Sequence, residues 1–258
     1  MPNRLDRPAT TGNSFLDSLP AESLARLFPA LTVRSLKKGL VLAEPGVLIE
    51  EIFFPIRSVI STVTRMLDGS GIEVGLAGHE GMSALSIAYG NRLSPHLTVV
   101  QIADSAYFMG AGLFLDLMKR DEHLRERVLA YAEYAFIAST QFAACNRLHP
   151  IEERYARWIL MADDRVGNEP FLLTQEYSAQ MLGVRRAGVT VVAGAMSKAG
   201  LISYRRGHVS VLDRDALESA SCECYRVVNA ELFRLMGYAF GQAVVVPLKK
   251  VAAASDRG

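Results

Sequence analysis

The stretch QEYSAQMLGVRRAGVTVVAGAMSKAGLI, residues 175–202, decides the fold of this 258-residue chain. It contains two short amphipathic patterns of helical period with a break at Gly183 between them. Glycine suits the tight turn that joins two helices at a steep angle. Thr174, just before the first pattern, is a good N-cap residue, and the adjacent Arg185 and Arg186 begin the second pattern. The stretch therefore predicts a helix-turn-helix whose second helix directs its first turn toward an anionic partner.

The second helix and the segment after it carry a basic surface. Helical period places Val189, Val192 and Met196 on a buried stripe, so the two arginines face outward. Two short β patterns then flank the turn at 205–208, which predicts a two-stranded wing with a basic tip. Residues 174–214 hold six basic and two acidic residues, a net charge of +4 in a chain whose total is +1. This local charge favours nucleic-acid binding, with an ordinary solvated face as the alternative.

The predicted chemistry of this surface is DNA recognition. In a helix-turn-helix the first residues of the second helix enter the major groove. Arginine there pairs with phosphate oxygens or with guanine O6 and N7, and an outward valine can touch a thymine methyl group. The predicted DNA-binding residues are Thr174, Gln175, Arg185, Arg186, Ala187, Thr190, Val191, Arg205, Arg206 and His208.

The region from 31 to 109 has a different pattern. Short runs rich in Val, Ile, Thr and Phe alternate with polar residues and are separated by Gly, Pro and Asp-Gly turns. This pattern predicts many short antiparallel strands, hence a barrel or sandwich. MLDGSG, residues 66–71, is a hairpin turn signal, and LPAESLARLFPAL, residues 19–31, predicts a short helix ahead of the strands.

A long helix is predicted between this region and the helix-turn-helix. From Leu124 onward apolar residues follow a spacing of four and three, which is an a/d seam over three heptads. We interpret the seam as a dimer interface, with a core stripe against the β-region as the alternative. His149-Pro150 should end the helix, since proline disfavours a helical residue before it. The predicted interface residues are Leu124, Val128, Tyr131, Ala135, Ala138 and Phe142.

Composition narrows the class of protein. Half of the residues are hydrophobic and about a fifth are charged, yet no run approaches the roughly 20 apolar residues of a membrane span. The first 14 residues lack an apolar signal segment and are expected to be a disordered leader. Three scattered cysteines argue for a reducing cytoplasm and against a disulfide scaffold.

Sequence motifs for enzymatic or metal chemistry are missing. The chain has no G-x-S-x-G, H-E-x-x-H or Walker pattern, so we do not expect an enzyme. Cys222 and Cys224 stand two residues apart with no histidine near them in the sequence, which is poor spacing for a metal site. We therefore expect neither a metal nor a cofactor.

The order of these parts resembles the Crp/Fnr family of bacterial transcription regulators. The motif LTQEYSAQMLGVRRAGVTVVAGAMSKAGLI, followed by RRGHVSVLD, is similar to the family pattern L-T-x-x-x-x-A-x-x-L-G-V-x-R with its G-L-I and R-G-x-I-x-I-x-D segments. The resemblance implies that Arg186 reads bases and that Thr174 and Arg206 lie near phosphates. Positions matching Ala187 and Val191 are often charged base readers in the family, so a different operator is expected here.

The sensor half departs from the cyclic-nucleotide pattern of the family. Members that bind cyclic nucleotides carry Gly-Glu-Leu and then Arg-Ser or Arg-Thr, whereas this chain has Met82 near the glutamate position and Pro95-His96 near the arginine. Without that arginine the negative charge of a bound cyclic phosphate would be poorly compensated, so cyclic AMP is not expected as the ligand. No cysteine precedes Cys145, which excludes the family's N-terminal iron–sulfur ligands. The candidate effector pocket comprises Gly81, Met82, Ser83, Arg92 and His96.

We thus predict an α+β fold in which an antiparallel β-roll (jelly-roll) sensor domain spans 15–112. A dimerisation helix follows at 113–148, a winged helix-turn-helix at 149–220 and a C-terminal helical tail at 221–258. The expected partners are double-stranded DNA, a second copy of the chain, an unidentified small-molecule effector and RNA polymerase, with no membrane. The alternative is a cupin-like small-molecule-binding protein whose C-terminal domain mediates protein contacts; steep loss of DNA affinity with added salt distinguishes the two.

Overall fold

The structure is a computed structural model and describes residues 10–240. The chain opens with α1 (Ser14–Asp17), α2 (Ala21–Leu27) and a 3₁₀ turn (Phe28–Ala30). The last part of the predicted leader, residues 10–14, is ordered, which corrects that prediction; residues 1–9 lie outside the described part. Asn13 is fully buried, and its polar side chain is satisfied there: Oδ1 accepts from Leu16 N and caps α1, and Nδ2 donates to the carbonyls of Pro55 and Gly81.

The predicted antiparallel β-roll is confirmed. Among residues 10–240 its strands are β1 (Thr32–Leu36), β2 (Val41–Ala43), β3 (Glu51–Pro55), β4 (Val59–Arg65), β5 (Gly71–Ala77), β6 (Leu97–Ile102) and β7 (Asp104–Gly110). One sheet has the order β1-β7-β3 and the other β2-β6-β4-β5, with every pairing antiparallel. The hairpin between β4 and β5 turns through the predicted MLDGSG segment.

The predicted long helix is two helices, α3 (Ala111–Arg120) and α4 (Glu122–Leu148). Asp121 breaks the chain between them: its extended backbone caps α4, and its carboxylate accepts from Leu124 N at 3.1 Å. The same carboxylate accepts from Ser23 Oγ at 3.0 Å, which ties the break to α2. Helix α4 ends before Pro150, as predicted.

The face of α4 that we predicted to form a dimer interface is buried within the protomer, so that prediction is wrong. Ser139 on α4 donates to Val74 O of β5 at 2.8 Å, and Arg127 donates to Met236 O at the end of the last helix at 3.0 Å. Because α4 is covered from both sides by elements of its own chain, the apolar stripe is core. Ala135 of this stripe is half-buried. The other five residues are buried: Leu124, Val128, Tyr131, Ala138 and Phe142.

The C-terminal region carries the predicted helix-turn-helix and wing. The elements are α5 (Ile151–Val166), β8 (Phe171–Leu172), α6 (Gln175–Leu182), α7 (Arg186–Lys198), β9 (Ile202–Arg205), β10 (His208–Val211), α8 (Arg214–Ser219) and α9 (Cys224–Met236). The wing has three strands in the order β8-β10-β9, one more than predicted, because β8 precedes the motif and pairs with β10. Helix α9 returns to pack on α4.

The rest of the predicted helical tail, residues 241–258, lies outside the described part. Among residues 10–240, no helix combines the length and the apolar character that crossing a membrane requires.

Candidate nucleic-acid interface

The turn of the helix-turn-helix is built by a cap and a glycine. Thr174 Oγ1 accepts from Tyr177 N at 3.2 Å and starts α6. Gly183 ends α6 with φ of +63°, and a Cβ there would lie 2.9 Å from Ile72 Cδ1 of β5. Both the left-handed backbone and the close approach of the β-roll favour glycine at this position. The turn is therefore fixed by local geometry and by contact with the β-roll.

Helix α7 presents the two faces that its period predicts. Val189, Val192 and Met196 are buried, and Val191 on the other side is 71% exposed. Arg185 is the N-cap with an extended backbone, so α7 begins at Arg186. The first turn of α7 thus projects from the domain with its arginine side chains in solvent.

Contacts between α6 and α7 orient this exposed turn. Thr190 Oγ1 donates to Gln175 Oε1 at 2.7 Å, which holds the two helices in a fixed relation at the surface. Arg186 Nε lies 3.7 Å from Glu176 Oε2, and both side chains are largely exposed. An exposed pair of this kind contributes little stability, so a stronger anion can displace Glu176 from the guanidinium.

The wing lies next to the start of α6. Leu173 N donates to Gly207 O at 2.6 Å, and a Cβ at Gly207 would lie 3.8 Å from Thr174 Cγ2. Arg206 and Gly207 both have positive φ, +51° and +81°, as a two-residue hairpin turn requires. The structure therefore brings the wing tip, the cap of α6 and the first turn of α7 into one surface.

Nine of the ten predicted DNA-binding residues are exposed on this surface, and Gln175 is half-buried. Arg214, which belongs to the basic segment of the sequence, instead faces inward and donates to Asp163 Oδ2 at 3.1 Å and Asp164 Oδ1 at 2.5 Å. The basic surface is therefore narrower than the charge count of residues 174–214 implies.

The β-roll contains a cavity of about 410 Å³ between β4, β5, the segment Leu85–Tyr89 and α4. Of the predicted effector-pocket residues, Met82, Ser83 and His96 line it. Gly81 does not line it, and a Cβ at this position would overlap the ring of Tyr131, which does. Arg92 is exposed and does not line this cavity either.

The cavity offers little compensation for a negatively charged ligand. Among residues 10–240, neither arginine nor lysine lines it, and partial burial lowers the pKa of His96, which favours the neutral imidazole. The wall is mainly aliphatic and aromatic, with the hydroxyl groups of serine and threonine among it. Such a lining suits an uncharged and largely apolar small molecule.

Two buried contacts join the β-roll to α5. Trp158 Nε1 donates to Glu73 Oε1 of β5 at 2.7 Å, and Arg165 pairs with Glu80 of the loop after β5. Burial raises the pKa of Glu73 to about 7, while hydrogen bonds from Ser61 and Trp158 partly oppose the shift. The β-roll and α5 are therefore connected through buried polar and charged side chains.

The structure also gathers four side chains that sequence reasoning did not connect. Cys145 and His149 at the end of α4 lie beside Cys222 and Cys224, and all four ligand atoms are within 4.8 Å of one another. The prediction that Cys222 and Cys224 have no histidine near them is wrong in space, although it is correct along the sequence. A C-x-x-x-H segment combined with a distant C-x-C segment was the signal that could have suggested the cluster.

The comparisons with known proteins agree with this architecture. Residues 153–220 match the family model of the Crp-like helix-turn-helix domain. No match was found among curated proteins.

Solved structures extend the likeness to most of the chain. FixK2 from Bradyrhizobium japonicum has a TM-score of 0.61 at 12% identity, covering 74% of this chain and 98% of that one. A CRP-family transcriptional regulator from Thermus thermophilus has a TM-score of 0.60 at 14% identity, covering 82% and 100%. The c-di-GMP responsive global regulator CLP of Xanthomonas campestris has 0.58 at 12%, covering 75% and 100%. The chain thus carries a Crp-like helix-turn-helix domain and has the fold of the Crp/Fnr transcriptional regulators.

Proposed function

We propose that this protein is a transcription regulator that binds a two-fold DNA operator as a homodimer. The observation that carries the proposal is the single exposed surface formed by the first turn of α7, the cap of α6 and the wing tip. Arg185, Arg205 and Arg206 have no ion-pair partner on it among residues 10–240. An unpaired basic surface around a helix N-terminus is what DNA phosphates and the major groove accept.

Within this surface the residues have different roles. Arg186 reads a guanine edge from the first turn of α7, after releasing Glu176. Thr190, held by Gln175, lies one helical turn further along and contacts an adjacent base or phosphate. Val191 provides an apolar contact with a thymine methyl group, and Ala187 allows the helix to approach the base edges closely. Thr174, Arg185, Arg205, Arg206 and His208 contact the backbone at the edges.

The homodimer forms through an exposed face of α4 that lies beside the core stripe. Leu129 is 43% exposed and Phe136 is 65% exposed. They stand seven residues apart, and Ala143, exposed and seven residues further on, continues the same line. A monomer would leave this apolar line in water, and pairing it with the same line of a second copy covers it.

The cavity of the β-roll binds the effector. Since α4 forms part of the cavity wall through Ala132, Ala135 and Phe136, a ligand there contacts the same helix that forms the dimer. The ligand is uncharged and largely apolar, not cyclic AMP, because the part of the lining that the structure describes holds no arginine or lysine for a phosphate. Contact with RNA polymerase stays a prediction.

Selection of bound duplexes from a random pool, using the purified protein, tests the proposal. We expect enrichment of an inverted repeat whose half-sites are separated by about one helical turn of roughly 10 base pairs. Affinity for the selected site should fall steeply as salt rises, because phosphate contacts release counterions. Recovery of no enriched sequence, with weak binding that does not respond to salt, would instead favour a module for protein contacts.

A further inference from the structure

The four side chains at the junction of α4, α5 and α9 have the composition of a metal site. Cys145 lies in the last turn of α4, His149 follows that helix, and Cys222 and Cys224 flank the start of α9. All three cysteines are free thiols and all are buried. Three sulfurs and one imidazole nitrogen form a ligand set that binds zinc in closed structural sites.

The spacing of the ligand atoms is close to what zinc requires. With Zn–S near 2.3 Å and Zn–N near 2.0–2.1 Å, a tetrahedral site places its ligand atoms about 3.5–3.8 Å apart. Cys145 Sγ lies 3.5 Å from Cys222 Sγ, and Cys224 Sγ lies 3.6 Å from His149 Nδ1. The remaining separations do not exceed 4.8 Å. Small side-chain adjustments therefore bring all four atoms onto one tetrahedron.

Groups around the four ligands support the same chemistry. His149 Nε2, the ring nitrogen that faces away from the sulfurs, lies 3.2 Å from Glu223 Oε2. A carboxylate on the distal nitrogen is a common feature of zinc-bound histidine, since it fixes the tautomer and the ring orientation. Gln141 Nε2 donates to Cys224 Sγ at 3.1 Å, a bond that a thiolate accepts more readily than a thiol.

Two arginines balance the charge that such a centre would carry. Zn²⁺ with three thiolates and a neutral imidazole has a net charge of −1. Arg154 and Arg157 lie on the first two turns of α5, just after His149, and the guanidinium carbon of Arg157 is 4.4 Å from the ring centre of Phe142, one turn before Cys145. Both side chains are buried, and the Nε atom of each has no hydrogen-bond partner among residues 10–240. Buried cations beside an anionic centre are compensated, whereas beside three neutral thiols they are not.

We propose that Cys145, His149, Cys222 and Cys224 bind one zinc ion. All four positions of the tetrahedron are taken by protein ligands, so the ion has a structural role and no open site for a substrate. It joins the end of α4 to the connection between α8 and α9. The ion therefore fixes how the DNA-binding domain and the C-terminal helix are attached to α4.

Metal analysis of the full-length protein, purified under reducing conditions, tests the proposal. We expect about one zinc per chain and three thiols that react with a disulfide reagent only after a chelator removes the ion. The protein reconstituted with Co²⁺ should show the visible bands of tetrahedral cobalt and the near-ultraviolet bands of thiolate ligation. This arm uses the wild-type chain and does not depend on whether a variant folds.

Two variants and a control define the ligands. His149→Ala should lower zinc affinity at least 10-fold, and Cys222→Ser should lower the intensity of the cobalt–thiolate bands by about a third, since two of three thiolates remain. His123→Ala, an exposed histidine at the other end of α4, should retain one zinc per chain. The proposal is overturned if the protein contains no zinc and gives no cobalt spectrum. It is equally overturned if the isolated protein holds a Cys145–Cys222 disulfide or an iron–sulfur cluster, or if His149→Ala binds zinc as tightly as wild type.

Discussion

Glu80 and Arg165 form an ion pair in which Oε1 accepts from Nη2 at 2.6 Å and from Nε at 3.0 Å, and each side chain is only 1% exposed. Glu80 belongs to the loop after β5, and Arg165 lies in the last turn of α5. Glu80 also accepts from Gly78 N at 3.0 Å through its second oxygen. This pair connects the β-roll to the first helix of the DNA-binding domain.

Removing the charge of Glu80 should destabilise the fold strongly. Glu80→Gln leaves the Arg165 guanidinium buried without a counter-charge, which costs roughly 3–5 kcal/mol. Urea unfolding measures the change. Glu51→Gln is the matched control, because Glu51 pairs with Arg34 at 2.7 Å while both side chains are more than a third exposed. That control should lose at most about 1 kcal/mol. Equal losses in the two variants would contradict the importance of the buried pair.

Arg186 should determine sequence preference. Arg186→Ala is expected to lose about 1–3 kcal/mol of affinity on the best operator and to relax preference at one base pair in each half-site. Arg186→Lys should also lose preference, because lysine does not reproduce the two-pronged contact with guanine. Titrations on the operator and on its single-base variants measure both effects. Lys198→Ala, at the far end of α7, is the control. If Arg186→Ala leaves both the affinity for the operator and the base preference unchanged, the Arg186 side chain in the first turn of α7 does not contact DNA.

The wing arginines should contact phosphate without reading sequence. Arg205→Ala should weaken binding to the operator and to unrelated duplexes alike, and lower the slope of log K against log salt by about one. For the second position Arg206→Asn is the better change, since asparagine tolerates the left-handed φ of +51° found there. Binding measured at several salt concentrations gives the slopes. Loss confined to the operator would instead assign these arginines to base recognition.

The exposed line on α4 should hold the dimer together. Phe136→Glu puts a negative charge from each copy into an apolar interface, so sedimentation should show a monomer that remains folded. Leu113→Glu is the control, because Leu113 is an exposed leucine on α3, away from the line. Val128→Glu should unfold the protein, not separate the copies, since Val128 is fully buried in its own chain. A Phe136→Glu protein as dimeric as wild type would exclude this face.

Stability should depend on pH through Glu73. The pKa of this carboxyl is raised by burial from 4.5 to about 7, so the folded protein holds a proton that the unfolded chain has released between these values. The contribution of this group to the free energy of unfolding therefore falls as pH rises from about 4.5 to about 7, by up to about 1.4 kcal/mol per pH unit. Above pH of about 7 this contribution no longer changes, because the carboxyl is ionised in both the folded and the unfolded state.

Glu73→Gln tests this pH dependence because its amide mimics the protonated acid. The variant should gain stability over wild type as pH rises through this window, and the difference should stay constant above it. Urea unfolding at pH values from about 4.5 to 8 measures the difference. Glu133→Gln on the surface of α4 is the control. Parallel stability curves for Glu73→Gln and wild type would show that Glu73 is ionised throughout.

The DNA-binding motif was predictable because its signals are local. The cap at Thr174, the left-handed turn at Gly183 and the buried stripe of α7 depend on residues within a few positions of one another. The wing and the strands of the β-roll were predictable for the same reason, since alternation and turn residues act over short distances. Nine of the ten predicted DNA-binding residues are exposed accordingly.

The tertiary structure alone decided which face of α4 is core. Both a dimer seam and a core stripe place apolar residues at a spacing of three and four, and the choice depends on what covers the helix. Here β5 and α9 cover it, and they lie far from each other along the chain. The inward position of Arg214 likewise depends on acidic residues of α5.

The cysteine–histidine cluster was also decided by the tertiary structure alone. Cys224 and His149 are 75 residues apart in the chain and 3.6 Å apart in space. Local sequence therefore determined the helix-turn-helix, its wing and the strands, because caps, turns and periodicity act between neighbours. Which faces are buried, which charges are paired and which thiols meet were decided by the tertiary structure, because those contacts join segments that lie far apart along the chain.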